Sequence, residues 1–166
     1  MAGLPAAGKS SIAEGLASAL SAPVVSVDPI EAALLRAGIG PGQPTGYAAY
    51  VAAEAVADGV LALGQTVIVD AVNAVEPARG QWRSLASHRR VRLGFIEVVC
   101  SDRDLHRRRL EERVRGIEGF EEPDWAAVER RRAEYEPWDD RRLVLDSVEE
   151  LAANVKRALE FVAGLR

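Results

Sequence analysis

The strongest constraint on this chain lies at its start. Gly3-Leu4-Pro5-Ala6-Ala7-Gly8-Lys9-Ser10 satisfies every fixed position of the pattern G-x-x-x-x-G-K-[ST], and Ser11 follows. The spelling has a mechanical reason. Glycines let the backbone wrap an anion with its N–H groups, and those amides open a helix whose N-terminal partial charge favours negative ligands. In that arrangement Lys9 reaches the β- and γ-phosphates of a nucleotide, and the Ser10 hydroxyl ligates Mg²⁺. Only two lysines occur in the chain, Lys9 and Lys156, against a heavy arginine bias. A lysine inside a motif therefore stands out.

Mechanics of this kind need a helix after the loop and a buried strand before it. Lys9 to Leu20 carries Ile12, Leu16, Ala19 and Leu20 at helical spacing, which supplies the helix. Only Met1 and Ala2 precede Gly3, so the first strand is cut short. A central parallel strand cannot be absent without stranding its neighbours' backbone groups. The expectation is a chain that begins upstream in its natural form, or else another segment filling the gap.

The rest alternates short apolar runs with longer amphipathic stretches, the pattern of an α/β domain with a mainly parallel sheet. Strands are expected at Pro23–Val27, Thr66–Val69, Leu93–Val99 and Leu143–Leu145. Helices are expected from Pro29 to about Ala37, Tyr47 to Leu63, Pro77 to Ser87, Asp102 to about Arg115, Pro123 to about Tyr135, and Val148 to Val162. Gly38–Gly46 reads as a loop on turn chemistry, and Gly116–Glu122 as a break. With 166 residues and no linker or repeat, the reading is one domain over 1–166, with a helical lid at approximately 109–135.

Composition narrows the function classes. No apolar run is long enough to cross a bilayer, and the single cysteine, Cys100, excludes an internal disulfide and a Cys-built zinc site, so the cytosol is the default compartment. The net charge of −4 has the wrong sign for general binding of nucleic acid. Nothing fixes the oligomeric state.

Ligands of open α/β sheets sit beyond the carboxyl ends of the strands, where Asp28 and Asp70 fall. Asp28 suits a base near an acceptor hydroxyl and Asp70 a metal-side carboxylate, though either could serve as a plain helix cap. Asn73 and Arg79, just beyond, are substrate-contact candidates, with Tyr47 and Tyr50 at the rim. Arg109 and Arg113 lie four apart on one helical face and could stabilise charge on a transferred phosphoryl group. Arg107, Arg108 and Arg115 read as solvated surface. His88 and His106 show no spacing that suggests a site, and Trp82, Trp125 and Trp138 read as packing residues.

With these segments in place, the chain resembles the P-loop kinases of the zeta-toxin, polynucleotide-kinase and chloramphenicol-phosphotransferase group, labelled AAA-type ATP-binding proteins. Val27-Asp28-Pro29-Ile30-Glu31-Ala32 is similar to the segment carrying the acceptor-side Asp in chloramphenicol phosphotransferase. Val67-Ile68-Val69-Asp70 and the pair Trp82-Arg83 fall where that group has its next strand and a Trp-Arg pair. Arg109-Leu110-Glu111-Glu112-Arg113 is similar to the lid-arginine pattern of nucleoside and sugar kinases. The resemblance implies a three-layer, nucleoside-kinase-like P-loop NTPase fold. It also implies ATP or GTP with Mg²⁺ as cofactors, held by residues 3–11, and Asp28 as base. The resulting expectation is a phosphotransferase acting on a small-molecule hydroxyl. Two rivals stand beside it: a polynucleotide 5′-hydroxyl kinase, and a nucleotide-binding or hydrolysing module that signals to a partner.

Overall fold

The computed structural model describes residues 1–40, 43–113, 116–117 and 122–165. Strand β1 (Val24–Ser26) pairs in parallel with β2 (Ile68–Asp70), and β3 (Phe95–Val99) pairs in parallel with β4 (Arg142–Asp146). Helices α1 (Lys9–Leu20), α2 (Val27–Arg36), α3 (Thr45–Ala62), α4 (Glu76–Arg89), α5 (Arg103–Glu111), α6 (Trp125–Ala133) and α7 (Leu151–Ala163) alternate with them.

Met1–Gly3 stands between the two strand pairs. The Ala2 N–H donates to the Ile96 carbonyl and the Val98 N–H donates to that of Ala2, each at 2.8 Å. On the other side the Gly3 N–H donates to Val72 O at 3.1 Å and the Met1 amino group to Val69 O at 2.5 Å. Residues 1–3 thus act as a short central strand, giving the order β1-β2-(1–3)-β3-β4. A cavity of about 510 Å³ lies beside Met1, lined by Leu16, Val67, Val69, Trp82, Phe95 and Ile96 among others.

Helices cover both faces of the strands, burying two apolar clusters. On one face Ile12, Ala13 and Leu16 of α1 pack with Ile68, Ile96, Val98, Leu145 and Ala158 of α7. On the other, Ala49, Ala53 and Ala57 form a buried small-residue stripe of α3 against Val25, Val27, Trp82, Leu85 and Phe95. A third cluster joins Leu4 of the glycine-rich loop to Leu110 of α5 and Val128 of α6, so these helices pack directly on the loop.

Helix starts follow local chemistry. Asp102 and Asp124 cap α5 and α6, their carboxylates accepting from Leu105 N at 2.9 Å and Ala127 N at 2.6 Å. Most boundaries shift by a few residues from the sequence reading, and two of the shifts bear on candidate site residues. α2 opens at Val27, so Asp28 lies inside its first turn and not at the cap. α5 ends at Glu111, leaving Arg113 beyond the helix, while Arg115 lies outside the described residues.

Candidate nucleotide and phosphoryl-transfer site

The loop from Gly3 to Gly8 has the backbone of an anion cradle. Gly3 has φ +132°, and a Cβ there would stand 2.2 Å from the Val98 carbonyl oxygen; only glycine permits this approach. Gly8, at φ +98°, is the residue before α1 and offers no side chain to its amides. No acidic residue occupies the first turn of α1. The start of α1 is therefore neither capped by a side chain nor faced by a carboxylate of its own first turn, the arrangement of an anion-binding helix end.

Lys9 is buried, and its ammonium donates to Leu4 O at 3.0 Å across the loop. Beside it the Ser10 hydroxyl donates to Asp70 Oδ2 at 2.7 Å. Asp70 is buried at the end of β2, and its other oxygen, Oδ1, has no hydrogen-bond partner among the described residues. An uncompensated buried carboxylate oxygen beside a hydroxyl is a donor set suited to a hard cation. Among the described residues no group of three or more His, Cys, Asp or Glu side chains could hold a metal by itself. A cation at Ser10 and Asp70 would therefore complete its shell with water and phosphate oxygens, as Mg²⁺ does.

A cleft of about 910 Å³ opens over these groups. Its lining includes Ala6, Gly8, Lys9, Ser10, Ser11 and Asp70, and also Arg109 and Arg113. Arg109 is held by Ser147, donating to its hydroxyl at 2.8 Å and its carbonyl at 3.1 Å. Arg113 faces the same space with Glu122 at 3.6 Å. The two arginines and the cradle thus share one cavity.

Asp28 is half-buried in α2 and does not line that cleft, although its neighbour Pro29 does. It lies close enough to Tyr50 to act on its hydroxyl. Burial first, and then the Asp28 charge, push that phenol above its usual range.

Asn73 and Arg79 stand elsewhere than a substrate rim. Asn73 is buried, donates to Met1 O at 2.8 Å and accepts from the Trp82 indole at 2.9 Å. Arg79 is fully buried. Its guanidinium donates to the carbonyls of Asn73, Ala74, Glu136 and Pro137 at 2.6–3.0 Å and lies 3.8 Å from the Trp138 ring centroid. The Asn73 side chain ties Met1 to Trp82, and the Arg79 guanidinium ties the segment after β2 to residues 136 and 137, which corrects the expectation that they face a substrate. Tyr47 is exposed on α3, whereas Tyr50 packs on Trp82 and its hydroxyl accepts from Asn73 N. His106, which shows no signal in the sequence, is buried against the loop, with Nε2 2.7 Å from Pro5 O.

Residues 1–138 match the family described as AAA domain. The chain belongs to that family. No curated protein matches this AAA domain in sequence. Three solved structures share its fold over 98% of its length. An APS kinase from Mycobacterium tuberculosis, solved with AMPPNP and APS, has TM-score 0.70 at 18% identity and is covered over 95% of its own chain. A gluconokinase from Sinorhizobium meliloti 1021 has TM-score 0.69 at 21% identity, with 89% covered. Kti12 from Chaetomium thermophilum, in complex with ADP-AlF3, has TM-score 0.72 at 21% identity, with 97% covered. This AAA domain therefore has the α/β P-loop fold shared with those structures. Among its described residues no helix is long and apolar enough to cross a membrane.

Proposed function

We propose that the chain is an ATP-dependent phosphotransferase that moves the γ-phosphate to a hydroxyl of a small molecule. The observation that carries this reading is the Ser10–Asp70 pair, set beside Lys9 in the same cleft as Arg109 and Arg113. Hydrolysis or transfer needs charge neutralised on the γ-phosphate oxygens, and these groups lie around that position. The loop amides and Lys9 bind the phosphate chain. Arg109, braced by Ser147, and Arg113 stabilise the charge that develops on the transferred group. Ser10 and Asp70 would hold Mg²⁺, which would supply neutralising charge to the phosphates. Asp28, on the Tyr50 side of β1, accepts or orients the acceptor's proton. Helices α5 and α6, packed on the loop, form the lid that excludes water.

The neighbours' ligands and names support the small-molecule class: one was solved with AMPPNP and APS, and another is a gluconokinase. The test is transfer of labelled γ-phosphate from ATP against pooled sugars, nucleosides, antibiotics and 5′-hydroxyl oligonucleotides. Transfer to a small molecule supports the reading. Transfer confined to oligonucleotides replaces it with polynucleotide kinase activity.

A second reading draws on the outward side of α3, where Tyr47, Val51, Val56 and Leu63 are exposed. Such apolar surface suits a hydrolysing module that signals to a partner. That module would hydrolyse ATP at a rate indifferent to every added hydroxyl compound.

A further inference from the structure

The glycine-rich loop has a weak point at Ala6, which sits at φ +60° in the left-handed region without being glycine. That conformation costs an alanine about 1 kcal/mol and persists only where surroundings enforce it. The preceding residue is proline, which brings no N–H to the cradle. The Ala6 N–H is therefore the first amide available after Leu4, and it has no acceptor among the described residues. Its direction is set by the Pro5–Ala6 peptide plane, in which a trans bond points the Pro5 carbonyl and the Ala6 N–H opposite ways.

His106 holds that carbonyl. It is 1% exposed on α5, with Nε2 2.7 Å from Pro5 O and Nδ1 3.3 Å from Arg132 Nη2 of α6. A carbonyl can only accept and a guanidinium can only donate. The ring must therefore be neutral, with its proton on Nε2. The edge of the ring pair with Trp125, at 5.3 Å and 88°, fixes its tilt. With the Pro5 carbonyl held by His106, the trans peptide points the Ala6 N–H away from that ring, and Ala6, Gly8 and Lys9 line the cleft.

We propose that His106 is a positioning residue for the phosphate cradle, aiming the Ala6 amide at the bound anion while Arg132 keeps its ring in the donating tautomer. This rests on residues 3–10 holding a nucleotide, as proposed above. The charged groups facing the ring are Arg132 and Glu129 from α6 and Lys9 from α1. Burial, and then the Arg132 and Lys9 charges, lower the affinity of the ring for a second proton, against the bond to Pro5 and the Glu129 charge. Protonation would set an Nδ1–H against Arg132 and loosen the clasp.

The test is ATP·Mg²⁺ and pyrophosphate affinity by calorimetry from pH 5 to 8, with melting temperature as a control. His106→Leu should weaken both ligands about tenfold at pH 7.5, and His106→Gln, which keeps a donor, should recover most of that. The unaltered chain should lose affinity below the ordinary imidazole range. Arg132→Gln should move that loss to higher pH, and His106→Gln should lack it. A packing role alone would shift the melting temperature of His106→Leu and leave ligand affinity per folded molecule unchanged, overturning the proposal. If His106→Leu does not fold, an acid limb unmoved by Arg132→Gln overturns it instead. If the unaltered chain binds neither ligand, the nucleotide reading fails first; the Ala6 amide resonance then decides, and one that stays still through the His106 titration overturns the proposal.

Discussion

Ser10 Oγ donates to Asp70 Oδ2 at 2.7 Å, joining the first turn of α1 to the end of β2 while the other Asp70 oxygen stays buried without a partner among the described residues. An acid left half-satisfied in the interior is costly unless something else completes its environment. Here the completing group is read as a cation.

Asp70→Asn keeps the hydrogen-bonding shape and removes the charge. The Mg²⁺ requirement of ATP turnover should rise by about 10- to 100-fold, the usual effect of disturbing groups around a metal. A Mg²⁺ titration that superimposes on the unaltered chain would remove Asp70 from the metal side.

Asp28→Asn should spare ATP affinity and abolish transfer, because Asp28 does not line the cradle's cleft and its proposed role is toward the acceptor. The check is a binding isotherm alongside labelled-phosphate transfer. Transfer at the unaltered rate would reject the base assignment.

Arg79→Met should destabilise the fold by about 3 kcal/mol or more, since four carbonyls lose their shared donor and Trp138 loses its stacked cation. Denaturant unfolding measures this. ATP affinity of the fraction that stays folded should not change, and a specific loss of acceptor binding would restore Arg79 to the substrate rim.

The Met1 amino group, enclosed between β2 and β3, has its pKa lowered from near 8 to about 6 by burial, against the pull of Asp70. Its charged form is penalised in the fold, so the unfolded chain binds the proton more tightly between those values. Stability should therefore rise from pH 6 to 8, by about 2 kcal/mol, and level off above. Thermal unfolding across that window checks it, and N-terminal acetylation should flatten the slope. Five apolar residues placed ahead of Met1, at about 3.3 Å each, should also fill the 510 Å³ cavity and raise the melting temperature. A flat profile with the free amine would show that the amino group is not confined as described.

What the sequence makes legible here is what local chemistry decides. The Gly3–Ser10 spacing and the α1 span from Lys9 to Leu20 depend on neighbours within a few residues. The fold class follows from the alternation of strand and helix periods. Arg79 and His106 are different. Their partners are 57 and 101 residues away, so a surface arginine and a buried one spell alike, and a lone histidine carries no spacing to read. The opening of α2 at Val27 shows the same limit on a smaller scale, since Asp28 suits both a cap and a first-turn position.

The central claim is that residues 3–10 bind a nucleotide through Lys9 and the loop amides. Calorimetry of AMPPNP with Mg²⁺ against the unaltered chain and Lys9→Ala tests it most directly. The account predicts one nucleotide per chain, with affinity reduced about a hundredfold or more by Lys9→Ala. No heat of binding to the folded chain, or equal affinity in both proteins, would contradict it.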